Sequence, residues 1–124
     1  MEAICVFNRN IYTKQGVILR PTHFNYAPVG VIIHVAYSFF PEDLDIWVTR
    51  GAEECKGGKP DSKHLICCAF DFRTRHWPKS INRKLIVSRM LVALGPQYYG
   101  YYKKYIDNGG NVVEWIHFQY NGGL

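Results

Sequence analysis

The chain has 124 residues, which fits one domain over 1–124 and leaves little room for a second. Apolar residues make up 48%, enough for a modest core without disulfide staples. Lys and Arg outnumber Asp and Glu by 15 to 10, but the net charge of +5 is spread along the chain, which excludes a basic binding arm and leaves a mild bias toward anionic partners.

The start of the chain does not read as a secretory signal, because Glu2 precedes a partly apolar stretch and no basic region or small-residue cleavage site accompanies it. The longest apolar run, 29–40, is broken by His34 and Ser38 and is too short to span a bilayer. The expectation is synthesis in the cytosol without membrane insertion, so that action outside the cell depends on release by another agent. Cys5, Cys55, Cys67 and Cys68 form no CxxC pair, which argues against a thiolate zinc knuckle. Four reduced thiols are the expectation for such a chain.

In chain order, the segment before Pro28 carries Gly16 and Pro21 as punctuation and reads as one or two short strands with a loop. Pro28 opens a helix, with Val29, Ile32, Ile33, Ala36, Tyr37 and Phe40 at helical spacing and Pro41 as its stop. Residues 44–49 are rich in β-branched and aromatic types and read as a strand. Glycines, Pro60 and charges mark 51–63 as a loop. The apolar run 65–72 reads as a buried strand. Ser80 is the expected cap of a second helix that ends at Gly95-Pro96, with Ile81, Leu85, Val87, Leu91, Val92 and Leu94 as its apolar face. Residues 98–106 and 112–120 read as two strands joined by Asp107-Asn108-Gly109-Gly110, a strong hairpin turn. The sum is an α+β domain, a small antiparallel sheet with two main helices.

Two segments stand apart chemically: Ser62-Lys63-His64 through Asp71, and Glu114-Trp115-Ile116-His117. Zinc accepts imidazole nitrogen and carboxylate oxygen, and a catalytic zinc keeps one position open. His64, Asp71 and His117 supply three candidate ligands, with Glu114 placed to carry a proton. A regular strand puts Glu114 and His117 on opposite faces, so this reading predicts an irregularity near Trp115.

These segments resemble the SxHxxGxAxD and ExxH motifs of the zinc D-alanyl-D-alanine carboxypeptidases, the D,D-dipeptidases, and the phage endolysins that cut between L-alanine and D-glutamate. The resemblance covers roughly 28–119. It implies a hedgehog/D-Ala-D-Ala peptidase-like fold, Zn2+ bound by His64, Asp71 and His117, and Glu114 as general base. Cys67 stands where that family usually has Gly. The register puts Glu53 where a family Arg is expected, and Arg50, three residues earlier, is the candidate replacement for stabilising an oxyanion. Ser62 is a candidate substrate-binding group. The implied function is a monomeric zinc metallopeptidase acting on peptidoglycan stem peptides, of the kind a phage uses for lysis after release.

Each residue also has a plainer reading. His64 alone is an ordinary loop histidine, Asp71 a strand-end carboxylate beside Arg73 or Arg75, and Glu114 with His117 a solvated hairpin face. A Cys67 or Cys68 nucleophile is disfavoured, because an apolar strand blunts a thiol. His23, His34 and His76 read as structural or surface residues. The tyrosines of 98–105 with Lys103 and Lys104 can stack bases, but no specific nucleic-acid motif accompanies them. The competing function is a non-catalytic zinc-binding module of the same fold.

Overall fold

The structure, a computed structural model, describes residues 10–20, 23, 26–51 and 69–122. It contains strand β1 (Ile11–Thr13), helix α1 (Ala27–Phe39), strands β2 (Ile46–Arg50) and β3 (Ala69–Arg73), helix α2 (Arg83–Leu94), and strands β4 (Tyr98–Ile106) and β5 (Val112–Tyr120). The five strands form one sheet in the order β1-β2-β3-β5-β4. Among the described residues, only the β1–β2 pair is parallel. The expected α+β class, with two helices and a mostly antiparallel sheet, is therefore present. Ser62, His64 and all four cysteines lie outside the described residues.

Both helices cover the same face of the sheet. Val29, Ile32, Ile33 and Ala36 follow the i, i+3, i+4, i+7 stripe of α1 and are buried against Ile46, Val48, Phe70, Phe72, Ile116 and Phe118. Alternation along the strands selects those residues: even-numbered positions on β3 and β5 face the helices and odd-numbered ones face away. Gly100 on β4 lies opposite Phe118, and a Cβ there would come within 2.6 Å of the Phe118 ring.

Helix α2 differs from its expected form. Asn82, not Ser80, is the cap, and its side chain accepts from the Leu85 N–H at 3.0 Å. The buried residues are Val87 and Met90, with Ile86, Leu91 and Leu94 packed beside them. Leu85 and Val92, expected in the apolar face, are 44% and 85% exposed. Helical periodicity alone permits several stripes, and the sheet chose the one through Met90. Arg83 at the first turn reaches back with its Nη atoms to the carbonyls of Thr74, Trp77, Pro78 and Ile81, at 2.8 to 3.2 Å. Gly95 ends the helix at φ 104°, a conformation that favours glycine.

The β4–β5 hairpin keeps register from Tyr98↔Tyr120 to Ile106↔Val112. Its turn is the expected Asp107–Gly110. Asp107 Oδ1 accepts from the N–H groups of Gly109 and Asn111, both at 2.9 Å, and Gly110 sits at φ 80°.

Candidate functional site

On the sheet face away from the helices, one row of residues crosses four strands. Arg50 on β2 is paired with Asp71 on β3, Asp71 with His117 on β5, and His117 with Tyr101 on β4. Strand spacing of about 4.8 Å makes this row roughly 14 Å long.

Arg50 reaches the row because β2 is bulged. Val48 opposes Phe72 and Arg50 opposes Asp71, so Thr49 is an extra residue against β3. With regular pairing, Arg50 would share the core face of Val48. The Thr49 hydroxyl donates to the Asp71 carbonyl at 3.4 Å, holding the bulge beside the site.

At the centre of the row, His117 Nδ1 lies 2.6 Å from Asp71 Oδ1. Both residues are buried, at 5% and 6% exposure. Tyr101 stacks on the imidazole with centroids 4.8 Å apart and planes 19° apart. Burial first, and then the nearby Asp71 charge, push the Tyr101 hydroxyl above its ordinary range. The other imidazole nitrogen, Nε2, is 2.7 Å from Gln119 Oε1. The Gln119 amide nitrogen donates to Asn121 Oδ1 at 2.6 Å, which leaves Oε1 as the atom facing histidine. Nε2 thus faces an acceptor oxygen, and Nδ1 is aimed at the carboxylate.

That donor set suits a divalent metal. A zinc ion is held at about 2.0–2.2 Å by imidazole nitrogen and carboxylate oxygen, so sharing it between these atoms requires the pair to open by about 0.7 Å. Donation of the remote N–H to an oxygen is the usual support of a metal-binding histidine. Two ligands alone do not complete a site, and no group of three His, Cys, Asp or Glu side chains is gathered among the described residues. The third expected ligand, His64, and the candidate substrate group, Ser62, lie outside them.

Glu114 is placed differently from expectation. The irregularity expected near Trp115 does not occur, since β5 pairs without interruption with β4 over Val112–Tyr120 and with β3 through Trp115, Ile116 and His117. Glu114 consequently faces the helix side while His117 faces the other. Its carboxylate is buried, accepts from the Tyr102 hydroxyl, and lies 3.4 Å from Arg83 Nε. Burial and the hydrogen bond to Glu114 push the Tyr102 hydroxyl up to about 12. In this arrangement Glu114 ties α2 to the hairpin and is separated from the His117 row by the sheet itself. Among the described residues the bulge falls at Thr49, where it aims Arg50.

The remaining histidines behave as expected of structural or surface groups. His23 is buried, its Nδ1 accepting from the Arg20 N–H at 2.9 Å and its ring edge-on to Phe70. His34 is exposed, and His76 contacts the Asp45 carbonyl at 3.0 Å. Sequence reading missed Gln119 and the role of Tyr101. The available signal was period two: Gln119 follows His117 on its face, and Tyr101 belongs to the odd-numbered face of β4.

Beside the row opens a cavity of about 460 Å³, lined on its sheet side by Trp47, Arg50, Asp71, Arg73 and Trp115. The Arg73 guanidinium lies over the Trp47 ring, 4.5 Å from its centroid. Burial and then the neighbouring Arg75 charge lower its pKa from the usual arginine value.

No protein-family model matches the chain, and no curated protein or solved structure matches it.

Proposed function

We propose that this protein is a zinc-dependent peptidase that hydrolyses a peptide bond in bacterial cell-wall stem peptides, with a hedgehog/D-Ala-D-Ala peptidase-like fold. The observation that carries the reading is the buried Asp71–His117 pair, with Nδ1 and Oδ1 2.6 Å apart and Arg50 in the same cross-strand row. The motif resemblance supports the same residues and adds His64 as the third ligand and Ser62 as a substrate contact.

In this proposal His64, Asp71 and His117 hold the ion. Bound zinc supplies a Lewis acid and a water of lowered pKa. With an ion bound, Gln119 Oε1 would accept from Nε2–H and leave Nδ1 as the ligating atom. Arg50 donates to the substrate oxygen on which negative charge develops, a contribution commonly worth roughly 3 kcal/mol for one positioned donor. Glu114, held by Arg83 and Tyr102, ties α2 to the hairpin. The setting proposed for the activity is wall lysis after release from a producing cell, as for a phage enzyme, with the protein acting as a monomer.

A second reading, a zinc-binding module without hydrolysis, is favoured by one observation: the carboxylate expected to carry the proton lies across the sheet from His117. One experiment separates the two. Purified protein, with and without zinc, is incubated with peptidoglycan beside His117→Ala and Asp71→Asn. Release of new amine termini by the zinc form alone, lost in both variants together with bound zinc, is the expected result. Stoichiometric zinc without release leaves only the binding module, and absence of zinc sinks both readings.

A further inference from the structure

The cavity beside the Asp71–His117 pair carries more cations than carboxylates. Lys14, Arg50, Arg73 and Arg75 line it, against three carboxylates, Asp71, Asp107 and Glu114. Each of these carboxylates has a partner outside the four cations, Glu114 pairing with Arg83. Asp71 faces His117, and Asp107 accepts the N–H groups of its own turn. Among the described residues, none of the four cations has a carboxylate within ion-pair distance. Arg50 Nε and Arg73 Nε are buried nitrogens without a hydrogen-bond partner. Such donors are costly to leave unpaired, and a structure tolerates them most readily where a ligand completes them.

The geometry also fixes the orientation. Arg73 is pinned over the Trp47 face, so its planar fork is held and not free to wander. Trp47 is itself stacked on Tyr12, with centroids 4.8 Å apart. Arg73 is two residues along β3 from Asp71, a displacement of about 7 Å, and Arg75 follows in the turn after the strand. The cavity thus extends from Asp71 past Arg73, and its volume suits a short peptide segment or small ligand.

We propose that this cavity is a carboxylate-binding site, formed by Arg73 with Arg75 and Lys14, that takes an acidic peptide. A carboxylate matches the guanidinium fork with two parallel hydrogen bonds, which a single-point cation does not provide. Trp115, beside Arg73 in register, supplies an apolar wall for the peptide backbone and small side chains. As a binding site the cavity stands on its own. As a substrate subsite it rests on the proposed hydrolysis, and it then specifies substrates with an anionic group one to two residues from the scissile bond.

The test measures binding to the full chain without added zinc. The probes are N-acetyl-Ala-Glu-Ala-amide, the same peptide with Gln in place of Glu, and inorganic phosphate, followed by calorimetry or tryptophan fluorescence. The Glu peptide is expected to bind at least about tenfold more tightly than the Gln peptide. Arg75→Gln with Lys14→Gln, both at exposed positions, is expected to cut that preference several-fold. Arg73→Lys, which keeps the charge and loses the fork, is expected to cut it as well. Lys79→Gln, outside this cavity, leaves it unchanged. Equal binding of the two peptides overturns the proposal, as does an undiminished preference in the Arg75/Lys14 double variant. Phosphate binding tighter than the Glu peptide overturns the carboxylate assignment. Because zinc is absent, a failure of the hydrolytic reading leaves this result intact, and the two failures are distinguishable.

Discussion

Replacing Glu114 by Ala tests whether this carboxylate holds the fold or serves the chemistry. In the structure Glu114 and Arg83 form a buried pair with side-chain exposures of 7% and 10%. Removing one partner of a buried pair costs about 3–5 kcal/mol, because the other charge loses its counterion. Arg83 keeps four carbonyl acceptors on its Nη atoms, which places the cost near the lower end. The Tyr102 hydroxyl also loses its acceptor. The expected total is about 3 kcal/mol. With a urea dependence of about 1–3 kcal/mol per molar, the unfolding midpoint falls by about 1–3 M while the slope is unchanged. Glu114→Gln keeps an acceptor for Tyr102 and loses only the charge, so its expected cost is about half as large. A double-mutant cycle with Arg83→Met isolates the pair and should return a coupling above about 1 kcal/mol. A Glu114→Ala stability within about 0.5 kcal/mol of the parent refutes the structural role. If Glu114→Gln is as stable as the parent, holds zinc and yet releases no termini from peptidoglycan, the carboxylate is catalytic and the strand arrangement described here is wrong.

Further outcomes are expected elsewhere. Tyr102 is held neutral in the folded state with its pKa raised to about 12, so the fold binds its proton more tightly than the unfolded chain. Its contribution is complete below the ordinary tyrosine value near 10 and is lost as pH rises toward 12; Tyr102→Phe should flatten that alkaline loss in a denaturation series. Asp107 is shifted the other way, chiefly by the backbone N–H of Asn111. Its support of the turn is present above the ordinary carboxylate value and fades as pH falls below it, and Asp107→Asn should remove this acid-side trend in hairpin hydrogen exchange. Met90→Ala empties a fully buried position between α2 and the sheet and should cost about 2–5 kcal/mol by urea unfolding. Gln119→Leu removes the acceptor for His117 Nε2; zinc affinity should drop by about 10- to 100-fold while the unfolding midpoint of the zinc-free protein moves little.

Local chemistry made several features legible from the residue order. Pro28 and Pro41 bracket α1, and its stripe from Val29 to Phe40 is the stripe that the core uses. Asp107-Asn108-Gly109-Gly110 specifies its own turn through the Asp107 side chain and the positive φ of Gly110, so the hairpin needs no distant partner to be recognised. Strand alternation puts Asp71 and His117 each on a definite face.

Other features depend on which elements meet, and only the tertiary structure decided them. The stripe of α2 passes through Met90 and leaves Val92 in solvent, because the sheet and α1 lie on that side; the helix's own periodicity is compatible with either choice. Arg50 reaches the site through a bulge at Thr49, and a bulge is a mismatch between two strands, invisible in either strand alone. The same holds for Glu114. Its three-residue separation from His117 left open a local break that would bring both to one face. The unbroken pairing of β5 with β4 and β3 closed that option, and Arg83 and Tyr102 waited on the far side to satisfy the buried carboxylate. Residue order determined the candidate ligands and their chemistry, whereas cross-strand register, a property of pairs of strands, determined which of them share a face.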